Sequence, residues 1–85
     1  MPLETGWEPL ERSTIGAAPD RYGVYEVGDD DGTVLEIDHG PLRDELKEAL
    51  AYGGAEATRV RWRVTQNSAE AERLLEEHRR RLADR

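Results

Sequence analysis

Three arginines on alternate positions, Arg59, Arg61 and Arg63, are the residues of this chain most plainly spaced for chemistry. They alternate with Val60, Trp62 and Val64. An extended strand with this period of two puts three guanidinium groups on one face and three apolar side chains on the other. A guanidinium matches the paired oxygens of a phosphate or a carboxylate in a forked, bidentate geometry. The stripe therefore has two uses: it binds the phosphates of a nucleic acid, or it pairs with carboxylates of the same chain, Glu26 or Glu36 across the sheet among them. The abundance of nearby carboxylates favours internal pairing.

Other chemically equipped groups are fewer. Asp29, Asp30 and Asp31 stand between Gly28 and Gly32. A calcium loop needs alternating oxygen ligands and a closing glutamate at a fixed distance, which this run lacks, so it reads as a solvated turn. His39 precedes a helix in a loop and is free to act, whereas His78 lies on the apolar edge of the last helix and reads as a boundary residue. The chain has no cysteine, which excludes disulfides and thiolate metal sites. Nothing in it resembles a nucleophile triad, a phosphate-cradling glycine loop or a zinc cluster.

The elements that must position these groups are legible. Tyr22 to Val27 and Thr33 to Asp38 are rich in β-branched and aromatic residues, and they flank a linker of glycine and aspartate, the pattern of a β-hairpin. Neither strand alternates cleanly, so both faces of the sheet are expected to be partly covered. Gly40 suits a helix N-cap and Pro41 a first helical position; Leu42, Leu46, Ala49 and Leu50 make one apolar stripe, and Gly53 with Gly54 end it. The arginine strand follows. A second helix starts at Asn67, with Glu70 completing a capping box, and its stripe is Ala71, Leu74, Leu75, His78 and Leu82. Its pairs Glu76–Arg80 and Glu77–Arg81, and the run Arg79 to Arg81 at its end, suit helix charge patterning. The sequence predicts an α+β fold: a small antiparallel three-stranded sheet with flanking helices, in β-β-α-β-α order. Residues 1–20, with Pro2, Pro9 and Pro19, read as an irregular arm or one short helical turn with Trp7 packed on the domain, and residues 21–85 as one domain.

Composition bounds the function. At 85 residues, with 36% hydrophobic and 36% charged and no phenylalanine, the chain can bury only a small core. No run is long and apolar enough for a membrane span and the N-terminus lacks the features of a signal peptide, so a cytoplasmic protein without membrane partners is expected. Nineteen acidic residues against twelve basic, eleven of them arginine, give a net charge of −7 and the composition of a salt-adapted, halophilic prokaryotic protein. The charge is uneven. Residues 1–56 hold four basic and fourteen acidic side chains, and residues 57–85 eight basic and five acidic, so the last third is positive and a candidate partner surface.

The triplets Gly23-Val24-Tyr25 and Glu36-Ile37-Asp38, ten residues apart in a hairpin followed by helix, strand and helix, resemble the GIY-YIG nuclease domain over residues 22–82. The text from GVYEV to VLEID is similar to the N-terminal nuclease domain of the bacterial excision-repair endonuclease. The resemblance implies two tyrosines and a helical arginine acting on the scissile phosphate and the attacking water, with a glutamate on the later helix holding a divalent metal. Carried onto this chain, Tyr25 matches the first tyrosine. Glu36 replaces the second, and Asp38 the glycine after it. The arginine position falls on Glu45, with Arg43 two residues away, and the metal glutamate falls beside Leu75, so that Glu76 serves with a shift of one.

The departures reverse the sign of the site where phosphate must approach. They imply a GIY-YIG-like fold that has lost nuclease activity, needs no cofactor and serves as an interaction module for a protein partner or for itself. Two alternatives follow from the residues named. One is a nucleic-acid binder using Arg59, Arg61 and Arg63. The other is a residual endonuclease using Tyr25, Arg43 and Glu76, which requires Mg²⁺ or Mn²⁺ near Glu76; separately, Glu36, Asp38 and Glu45 together could hold a magnesium ion.

Overall fold

A computed structural model describes residues 6–83, without the side chains of residues 82 and 83. Seven elements follow one another: β1 (Glu8–Pro9), α1 (Arg12–Ala17), β2 (Tyr22–Gly28), β3 (Val34–Pro41), α2 (Leu42–Tyr52), β4 (Arg59–Val64) and α3 (Ser68–Ala83). The strands form one antiparallel sheet in the order β1-β4-β2-β3. The α+β class and the expected elements are present, but the sheet has four strands where the sequence suggested three. The additional strand is β1, which pairs Glu8 with Val60 and Pro9 with Arg59. Proline cannot donate to a ladder and is tolerated at a sheet edge, which is where Pro9 sits.

Register decides which side chain meets which layer. Tyr25 stands between Asp38 and Trp62, and Glu26 between Ile37 and Arg61. Neighbouring residues of a strand face opposite ways. Tyr25 and Val27 enter the main core with Leu42, Leu46 and Val60, and Trp62 and Val64 pack against it. Leu10, Ile15 and Ala18 are in the same core. Residues of the expected arm are thus part of the fold: Leu10 donates its backbone N–H to the Thr58 carbonyl, and α1 packs on α2.

The opposite face of the sheet is covered by α3, which packs on β2 and β3 and buries Ala71, Leu75 and His78. Its start carries the N-cap half of the expected capping box, with the Glu70 N–H donating to Asn67 Oδ1 at 2.9 Å. No loop separates β3 from α2: Pro41 pairs with Tyr22 and is itself the N-cap, so the helix begins at Leu42, one residue later than expected. Gly40 remains in the strand, where an added Cβ would collide with the Glu45 carboxylate.

Candidate functional site

The hairpin and α2 build a small acidic pocket. Tyr25, from the central strand β2, buries its ring in the core, and its hydroxyl donates to Glu45 Oε2 at 3.5 Å. Glu36 and Asp38, on the same face of β3, and Glu48 and Tyr52, one and two turns along α2 from Glu45, complete a cavity of about 220 Å³. Burial first, then the negative charges of Glu45, Glu36 and Asp38, push the Tyr25 phenol well above its ordinary range. Burial also raises the Glu45 carboxyl, helped by Glu48 and Asp38, while the hydrogen bond from Tyr25 opposes the rise.

The structure thus brings Tyr25, Glu36, Asp38 and Glu45 together, the four positions aligned by the hairpin triplets and the helix. It does not bring Arg43 or Glu76 to them. Arg43 lies on the side of α2 that faces α1, and its Nη2 donates to the Ala18 carbonyl at 2.9 Å. Glu76 is exposed on α3 and pairs with Arg80 at 2.8 Å, the i,i+4 partner expected from sequence. Among the described residues no group of three or more His, Cys, Asp or Glu is arranged to hold a metal ion. Glu76, the glutamate carried over from the resemblance, is held by an arginine and does not line the Tyr25 pocket.

The arginine stripe is only partly taken up within the fold. It lies on the face of the sheet where α3 packs over β2 and β3, and Arg61 Nε donates to Glu26 Oε1 at 2.6 Å. The guanidinium of Arg61 also stacks over the ring of Trp7, 4.1 Å from its centroid. Trp7 is seated on Gly28, where an added Cβ would lie 2.7 Å from the indole. This is the internal pairing with Glu26 that the sequence favoured. Arg59 is half-buried near Trp7 and Asp30, and Arg63 is exposed.

Both histidines depart from expectation. His78 is buried, its Nε2 2.6 Å from Glu26 Oε2, and its Nδ1 has no hydrogen-bond partner. Glu26, itself buried, bridges Arg61 and His78. The sequence carried a signal for this contact: each residue is a polar side chain on an otherwise apolar stripe, and the two are chemically complementary. His39 is half-buried and its Nδ1 shares a 2.8 Å hydrogen bond with the Tyr22 hydroxyl. The aspartate turn is as expected: Asp29 Oδ1 accepts from the N–H groups of Asp31 and Thr33.

A second concavity lies between α1 and α2, and sequence reasoning did not find it. It is an open trough of about 910 Å³ with Leu10, Ile15, Leu50 and Ala51 on its walls and Arg12, Arg43 and Lys47 around them. The signal lay in α2 itself, where Arg43 and Lys47 are i,i+4 neighbours beside Leu50 while Glu45 and Glu48 occupy the other flank. No helix among the described residues is long and apolar enough to cross a membrane.

Searches of the curated proteins and of the solved structures return no match to this chain. One family model matches nearly its whole length, residues 1–81, and on that match the chain belongs to the family described as Domain of unknown function (DUF7508).

Proposed function

We propose that the chain is a non-catalytic interaction module: a GIY-YIG-like frame that has lost the nuclease constellation and docks a protein partner. The observation that carries this is the setting of Tyr25. Its hydroxyl is held by Glu45 in a pocket whose other carboxylates are Glu36, Asp38 and Glu48. Phosphoryl chemistry needs positive charge where negative charge develops. Here carboxylates occupy that place, Arg43 turns toward Ala18, and Glu76 is spent on Arg80. The phenol, held protonated by burial and by its acidic neighbours, is less available as a general base than a free tyrosine. The nucleic-acid reading has less support, because Arg61 is committed to Glu26 and sandwiched against Trp7. The α1–α2 trough gives the module an apolar surface on which a protein can dock.

The test is an amide NMR titration of the full chain in high KCl, adding Mn²⁺ and then a short branched DNA, with a cleavage assay in parallel. Broadening scattered over the acidic surface, no DNA-dependent shifts and intact DNA are expected. Broadening confined to Tyr25 and its neighbours, with metal-dependent cleavage that Tyr25→Phe abolishes, would overturn the proposal.

A further inference from the structure

The trough between α1 and α2 is unusual in this molecule for its charge. Residues 1–56 carry only four basic side chains against fourteen acidic ones. Three of those four, Arg12, Arg43 and Lys47, line this one trough, and Glu11 is the single acid beside them. Lys47 is the only lysine in the chain. Between the cations the surface is apolar, and Leu50 is 39% exposed there. Arg43 is also incompletely satisfied. Nη2 is held by Ala18, whereas Nε is buried with no acceptor. A buried donor in that state is costly to the fold.

We propose that this trough receives an acidic, amphipathic α-helix from a partner protein. Its apolar side chains would lie over Ile15 and Leu50, and its carboxylates would meet Arg12, Arg43 and Lys47. The inference rests on the reading of the chain as an interaction module and names that module's partner chemistry.

Three features select this occupant. The trough is more open than enclosed, whereas a small-molecule pocket encloses most of its ligand. Most of its lining comes from α1 and α2, which present side chains and no free row of backbone donors and acceptors, so an added strand has little to pair with. Charge complementarity then sets the sign of the partner. A second copy of the chain fits poorly. Symmetric docking would set Arg12, Arg43 and Lys47 against their own counterparts, and the outward positions of α3 from Glu72 to Arg81 are charged without an apolar stripe.

The experiment uses the full ¹⁵N-labelled chain and three synthetic amphipathic peptides of about 15 residues, long enough for helix formation. All three carry the same leucine stripe, flanked by glutamate in the first, glutamine in the second and lysine in the third. The glutamate peptide is expected to shift the amides of Ile15, Gly16, Lys47, Leu50 and Ala51. Its affinity should exceed that of the glutamine peptide by roughly three- to tenfold at low salt, as three exposed ion pairs allow, and the gap should narrow as KCl is added. Lys47→Glu should erase that preference, and Leu50→Ser should weaken all binding at the trough.

Equal or tighter binding of the glutamine or lysine peptide would overturn the acidic assignment and leave the module reading standing. Several results would overturn the docking site itself: no peptide moving these amides, the same amides shifting with protein concentration alone, or a short duplex DNA shifting them. Failure of the module reading has a different signature, the metal-dependent cleavage described above.

Discussion

Glu26 Oε2 and His78 Nε2 lie 2.6 Å apart, a buried polar contact that ties the central strand to the last helix. Arg61 holds the other oxygen of the same carboxylate. Removing one member of such a group leaves the others buried without compensation. Glu26→Gln should destabilise the fold by about 3–5 kcal/mol, read as a lower urea midpoint at fixed salt. His78→Leu should cost less, because it also removes the unsatisfied Nδ1. The double variant should show a coupling of about 0.5–3 kcal/mol. Strictly additive effects would mean that the contact contributes nothing to stability.

Trp7 closes the same face from the N-terminal side. Trp7→Ala should cost about 1–3 kcal/mol through lost burial and the lost contact with the Arg61 guanidinium. Gly28→Ala tests the seat more gently, since its Cβ would meet the indole at 2.7 Å. In a ¹H–¹⁵N spectrum the Trp7 indole resonance should move strongly while that of Trp62 stays near its place. Equal movement of both would place the disturbance in the sheet.

Tyr25 makes stability depend on alkaline pH. Its folded value is raised above the ordinary 10.0, so the folded state keeps the phenolic proton after the unfolded chain has released it. The stabilisation is fully present below pH 10.0 and is lost as pH rises from there through the folded value. Denaturant midpoints should therefore fall steeply above pH 10.0, and Tyr25→Phe should flatten that fall. An unchanged alkaline slope in the variant would sink the assignment.

Glu45 works in the acidic range by the same logic. Its folded value is raised above 4.5, so its contribution is fully present below pH 4.5 and lost as pH rises through the folded value. At neutral pH the ionised Glu45 faces Glu36, Asp38 and Glu48 across the pocket. Glu45→Gln should raise the thermal midpoint at pH 7, with the gain shrinking below pH 4.5 and in high salt. A variant that melts lower at neutral pH would show that the carboxylate is needed there.

Period and punctuation made most of the frame readable. The alternation of Val60, Trp62 and Val64 with arginine, the stripe of Leu42 and Leu46, and the Asn67–Glu70 cap all correspond to elements in place. The strand Glu8–Pro9 was not readable, because two residues carry no period and Pro9 argues locally against a strand. The site was half legible. Tyr25, Glu36, Asp38 and Glu45 share a pocket because strand parity and helix position follow from the chain. The destinations of Arg43 and His78 depend on which helix covers which face of the sheet, a tertiary fact that parity leaves open. The ambiguous parity of Tyr22 to Val27 reflects a strand covered on both sides, with a carboxylate buried on one of them.

The junction at Pro41 makes the hairpin and α2 a single mechanical part. Pro41 closes the pairing of β3 with Tyr22 and caps α2, with no residue between to absorb an error. A slip of one residue in the hairpin would turn α2 by roughly 100° about its axis. Leu42 and Leu46 would leave the core, and the cationic flank of Arg43 and Lys47 would swing away from α1. The strand register and the helix rotation are therefore one coordinate of the fold. Each acts as a proofreader of the other, and the trough is assembled correctly only when both agree.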